Sequence, residues 1–266
     1  MERLYFALPM WASALATLTV FAGLCVGGHM GVRRLLPKQI PRQETELAAT
    51  LMAAISAFIG FMLAFFAVQV WDDYATARRS VTAEAASAAQ LYRDLSVYGD
   101  ESLPARRALA GYVKTVVDDE WPAMAERQDM SSKTANSLVL VFRDMARIEP
   151  LTNRETLIYG EALKRLNEVV EHRRARLLAA REVLPPVFWF VALIGSAIVV
   201  AYTFVYPDTV MNQLLIAGLA VSLGLIFVFI LDVEHPYRGE IRVQPTEIRE
   251  LLPLFDQLDA AVRPPG

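Results

Sequence analysis

Asp232, Glu234 and His235 put two acids and an imidazole side by side in the sequence, followed closely by Arg238 and Arg242. Two carboxylates and an imidazole within four positions could hold a cation or relay a proton at the end of an apolar run. The same acids could instead close ion pairs with Arg238 or Arg242, because a carboxylate at a helix C-terminus opposes the macrodipole and calls for compensation. A second pattern has no ionisable group at all. Ala49, Ala53, Ala57, Gly60, Phe61 and Ala64 set small side chains and one aromatic along one side of a helix. Such a stripe can line a pore, and it can equally let another helix approach closely in a bilayer.

Little else offers chemistry. Cys25 is the single cysteine, so no intramolecular disulfide forms and one thiol makes no metal site. His29 and His172 have no companions at ligand spacing. There is no glycine-rich phosphate loop, nucleophile elbow or His-Glu-x-x-His segment. We therefore expect no enzyme, no cofactor and no metal. A net charge of −3 with no basic stripe argues against nucleic acid as a partner.

The elements that carry these residues are four apolar runs, arranged as two pairs around about a hundred polar residues. Leu4 to Val26, Leu47 to Trp71, Val183 to Tyr206 and Thr209 to Leu231 contain no Asp, Glu, Lys or Arg. A helix of roughly 20 apolar residues crosses the hydrocarbon core of a bilayer, and each run is that long. Helices satisfy their own backbone hydrogen bonds, which lipid cannot do for them. The first run is longer than a signal-peptide core and reads as a retained helix. No ionisable residue falls within these runs, which argues against a coupled pump.

Basic residues near the run ends set the orientation. Arg3, Arg78, Arg79, Arg173, Arg174, Arg176, Arg181, Arg238 and Arg242 lie on one side, and Arg33, Arg34, Lys38 and Arg42 on the other. This places both termini and the middle block in the cytoplasm of a cell whose inner membrane holds the protein. The expected organisation is 1–71, transmembrane helices one and two; 72–182, a cytoplasmic helical domain; 183–231, transmembrane helices three and four; 232–266, a cytoplasmic tail.

The polar block reads as helical throughout. The second span runs into Asp72-Asp73-Tyr74 without a breaker, and Ala77, Val81, Ala85, Ala88, Tyr92 and Leu95 keep helical spacing as far as Tyr98. Gly99 and Pro104 end it. A helix is expected from 104 to 128, kinked or ended at Pro122, and another from 131 to 147. Thr152 with Glu155 forms a capping box that opens a fourth. A short amphipathic helix, 246–258, closes the tail. The fold class is all-α.

Gly60-Phe61, Trp71 and Tyr74 at the second span, and Asp232-Val233-Glu234-His235-Pro236-Tyr237-Arg238-Gly239 after the fourth, together resemble the bestrophin pattern. With four spans and a helical insert carrying Glu120-Trp121, the whole chain is most similar to the bacterial bestrophin-like family. The resemblance implies a homopentameric ion channel, usually for anions, in which the second span lines the pore. Its neck positions fall on Ala53, Ala57 and Phe61, with Ala49, Gly60 and Ala64 beside them. Phe61 has the bulk such a neck requires; Ala53 and Ala57 do not. The resemblance gives Trp71 and Tyr74 the task of holding the pore helix to a neighbour, although an interfacial aromatic anchor explains them as simply. Asp232, Glu234, Pro236, Tyr237 and Gly239 form the C-terminal motif. Arg238 interrupts it and few carboxylates follow, so no calcium clasp is expected. The partners implied are the lipid bilayer, further copies of the chain and small inorganic ions. The competing reading is a non-conducting membrane-anchored scaffold or sensor whose helical block binds a cytoplasmic protein.

Overall fold

The computed structural model describes residues 9–35, 42–126 and 131–262. All regular structure among them is helical. In chain order the helices are α1 (Met10–Leu35), α2 (Arg42–Tyr98), α3 (Leu103–Thr115), α4 (Trp121–Ala125), α5 (Ser132–Met145), α6 (Asn153–Ala179), α7 (Pro186–Tyr202), α8 (Val210–Val233), α9 (Thr246–Arg249) and α10 (Leu251–Val262). Four of them, α1, α2, α7 with its short 3-10 extension, and α8, are long and apolar enough to cross a membrane. The chain divides into two compact units, Met1–Asp73 with Val183–Ile241, and Tyr74–Glu182 with Arg242–Gly266.

In the first unit the packing is set by small residues. A side chain at Gly195 of α7 would collide with the Ile59 side chain of α2. A Cβ at Gly224 of α8 would lie 2.8 Å from Leu18 of α1. Phe21 and Phe227 meet beside that crossing at 5.4 Å, and Phe66 of α2 packs edge-on against Phe188 of α7 at 4.8 Å. In the first span a Cβ at Gly23 or Gly27 would meet nothing within 4 Å, whereas one at Gly28 would lie 3.7 Å from Phe204. Helix α1 turns Gly28 inward and Gly23 and Gly27 outward, which periodicity alone does not disclose.

Helix α1 also runs nine residues past Val26, where the first apolar run stops. His29 therefore lies inside a spanning helix rather than in a connecting loop. It is wholly buried against Phe204, and among the described residues neither ring nitrogen has a hydrogen-bond partner. The apolar runs showed no ionisable residue because they were bounded by composition, and the helix is bounded by its hydrogen bonds.

The second unit is a helical bundle. Gly99, at φ 119°, ends α2 in a backbone conformation closed to most side chains. Ser102 then donates its hydroxyl to the Leu95 carbonyl, which also accepts from the Gly99 amide. The capping box at α6 forms as expected, with Thr152 accepting from the Glu155 amide and Glu155 accepting from the Thr152 amide. Between α3 and α4 the helix opens into a π turn, Val116–Glu120, where the Trp121 amide reaches back to the Val116 carbonyl. Pro122 follows at once. It lacks an amide proton and crowds the preceding turn, and widening that turn relieves the clash. The tail helix is two, α9 and α10, broken at Glu250.

Candidate pore face and the groups that hold it

Helix α2 has two unlike faces within the first unit. Ile59, Leu63, Phe66 and Val70, spaced three and four residues apart, are buried against the unit's interior. The opposite side is open. Ala53, Ala57, Gly60, Phe61 and Ala64 are all exposed, Ala49 is half-buried, and Phe61 shows 71% of its surface. A Cβ at Gly60 would meet nothing within 4 Å. Ala53, Ala57, Gly60 and Ala64 are therefore left uncovered among the described residues. Phe58 and Phe65 flank Phe61 on the same open side, and Trp71 is exposed below them. Tyr74, half-buried, begins the second unit.

The C-terminal motif is a structural tie within the first unit. Glu234 ends α8 and its Oε1 accepts from the Leu184 amide at 2.9 Å and from the indole Nε1–H of Trp189 at 3.4 Å. Pro185 and Pro186 open α7, so the Leu184 amide has no helical acceptor, and the carboxylate supplies one. Tyr237 and His235 are buried, as is Pro236, while Asp232 is half-buried. The chain turns through Arg238, whose amide bonds the His235 carbonyl, and Gly239 adopts φ 73°. Among the described residues no group of three His, Cys, Asp or Glu side chains could hold a metal ion.

The second unit contains a buried ionic network that the apolar periodicities concealed. Glu84 of α2 accepts both Nε–H (2.7 Å) and Nη2–H (3.1 Å) of Arg176 from α6, and the Tyr112 hydroxyl of α3. Arg176 Nη2 also donates to Glu120 at 2.8 Å, its Nη1 to the Met124 sulfur, and its guanidinium lies 5.3 Å from the Trp121 ring. Glu120 is shared with Arg173. Glu84, Glu120 and Arg176 are at most 1% exposed and Arg173 7%. Two carboxylates and two guanidiniums cancel in charge, and their oxygens are satisfied, which is what permits burial. Burial works against the Arg176 charge, but Glu84 and Glu120 outweigh it and hold its pKa well above the usual arginine value. The Tyr112 phenol is also pushed well up, by burial and then by Glu84. One signal of this network lies in the sequence: Glu84 occupies the apolar stripe of α2, between Val81 and Ala88.

A profile of the bestrophin-like domain matches residues 19–248. This chain belongs to the bestrophin-like family. Its fold is shared with a bacterial bestrophin homolog from Klebsiella pneumoniae, at 10% identity and a TM-score of 0.65, covering 95% of this chain and 98% of that one. A second crystal structure, described as a membrane protein, aligns at 12% identity and a TM-score of 0.61 over the same shares. No curated protein sequence is significantly similar to the chain. The bestrophin-like assignment accounts for the four spanning helices and the all-α fold, and supports a bestrophin-type membrane channel in general.

Proposed function

We propose that this bestrophin-like protein assembles into a homo-oligomer, a pentamer, in the inner membrane and conducts small inorganic anions along α2. Both termini and the middle block then lie in the cytoplasm, with Phe61 as the constriction and Ala57 and Ala53 one and two turns further out. The observation that carries the reading is the open face of α2. Its buried side is already occupied by α7, and its exposed side bears small residues and the rings of Phe58, Phe61 and Phe65, which nothing among the described residues covers. An apolar constriction can gate by dewetting, so the lack of charge at Phe61 agrees with a pore. Trp71 and Tyr74 fit an anchor at the inner end of the span, and Asp232, Glu234, Pro236, Tyr237 and Gly239 a tie that fixes α8 to the start of α7.

The test is planar-bilayer recording of the purified protein and of Phe61→Ala, with oligomer mass measured on the same samples. We expect unitary conductance to rise in the variant at unchanged mass. An assembled oligomer that is silent in both forms would instead favour a scaffold.

A further inference from the structure

Beyond Asp73, α2 keeps one side open within the second unit, and the charge on that side is of one sign. From Tyr74 to Tyr98 the helix carries Arg78, Arg79 and Arg93 and two acids, Glu84 and Asp94. Glu84 is buried beneath Tyr112 and Arg176, and Asp94 is half-buried beside Glu161, within electrostatic reach of Arg165 and Arg93. All three arginines are exposed. Arg79 donates to the Thr76 hydroxyl at 2.9 Å, and among the described residues neither Arg79 nor Arg93 has an acid within ion-pair distance. The two are fourteen residues apart, about 40° from alignment and ~21 Å along the axis. Thr82, Ala86 and Gln90, all neutral, are the exposed residues between them on that side. Arg78 is about 100° round the helix from Arg79.

We propose that this face lines the conduit beyond the span, and that Arg79 and Arg93 select anions over cations there. The inference rests on the channel reading and adds to it the residues that set ion polarity. Copies related by symmetry turn each arginine into a ring, and a ring of guanidiniums in a walled passage raises the local anion concentration. The rings are more than two Debye lengths apart at physiological salt, so they act separately and their effects multiply.

The experiment is the reversal potential of the full-length protein in planar bilayers under a KCl gradient. Wild type is expected to reverse near the chloride potential. Arg79→Gln and Arg93→Gln should each lower the chloride-to-potassium permeability ratio by at least about sevenfold, because one unit charge ~7 Å from the ion in water-like dielectric shifts anion and cation about threefold each, in opposite directions. The double charge reversal, Arg79→Glu with Arg93→Glu, should bring the reversal potential towards that of potassium. Arg79→Lys and Arg93→Lys should keep the wild-type ratio. Should the glutamate protein fail to assemble, the glutamine and lysine variants decide. A conducting wild type with unchanged ratio in the glutamine variants, or with a cation-selective current, overturns the proposal and leaves the channel standing. A lysine variant as impaired as its glutamine counterpart also overturns it, because charge would then not be the cause. An assembled wild type that is silent together with Phe61→Ala removes the channel reading and this inference with it.

Discussion

Arg176 illustrates how much a single side chain can hold in place. It is wholly buried, and three elements, α2, the π turn and α4, present acceptors or a ring to its one planar fork. Removing it takes two hydrogen bonds from Glu84 and one from Glu120, which keeps Arg173. We expect Arg176→Met to lower stability by about 3–5 kcal/mol, the usual cost of stranding one side of a buried ion pair. Thermal unfolding followed by helical circular dichroism in detergent measures this, and Arg176→Lys should recover only part, since an ammonium cannot bond two carboxylates through a flat fork. His29 makes the opposite case. Its two unpaired nitrogens cost desolvation without return. His29→Leu should therefore raise the melting temperature by a few degrees in the same assay; a fall would mean that the imidazole has a partner in the assembled protein.

At the scale of elements, the C-terminal helix is held by a small number of side chains. Phe255 of α10 stacks on Tyr92 of α2 with ring centroids 3.9 Å apart and planes within 6°. Asp259, four residues on, pairs with Arg106 of α3. Burial, then the Asp259 hydrogen bond, pushes the Tyr92 phenol up to about 12. Because this pKa is raised in the folded state, the contribution is fully present below the ordinary tyrosine value near 10 and is lost as pH rises towards about 12. We expect tyrosinate absorbance from Tyr92 to lag the other tyrosines over that interval, and limited proteolysis of the tail to increase with it. In Tyr92→Phe the tail should stay docked through the same rise in pH. Helix ends behave more simply. Thr152 and Glu155 announce α6 in four letters, because a capping box is a local hydrogen-bond pattern that needs no distant partner.

At the scale of the whole molecule, α2 is the element in which the two units share a chain, Arg42–Asp73 in one and Tyr74–Tyr98 in the other. The current predictions for Phe61 and for Arg79 and Arg93 belong here, because a ring exists only once copies assemble. A single chain exposes Phe58, Phe61, Phe65, Val68 and Trp71 along one helix. Lipid or neighbouring copies must cover these side chains, and the mass measured beside the conductance distinguishes the two. The all-α class and the four spans were legible because spanning length is a matter of composition. The open face of α2 was legible as a stripe of small residues, although the same stripe is equally compatible with close packing. What remained hidden was the role of Glu84, Arg173 and Arg176, which sequence patterning records only as charges interrupting apolar faces.

The sequence by itself determined the elements: four apolar helices, the continuation of α2 to Gly99, the capped start of α6. Each follows from interactions within a few residues, or from the requirement that a backbone in lipid bond to itself. Tertiary structure alone decided which face of each helix is covered. It paired Glu84 with Arg176 across 92 positions, seated Glu234 on the amide of Leu184 fifty residues earlier, buried His29, and left the Phe61 side of α2 open. A helical period gives a side chain its direction relative to its own helix. Only packing gives it a partner.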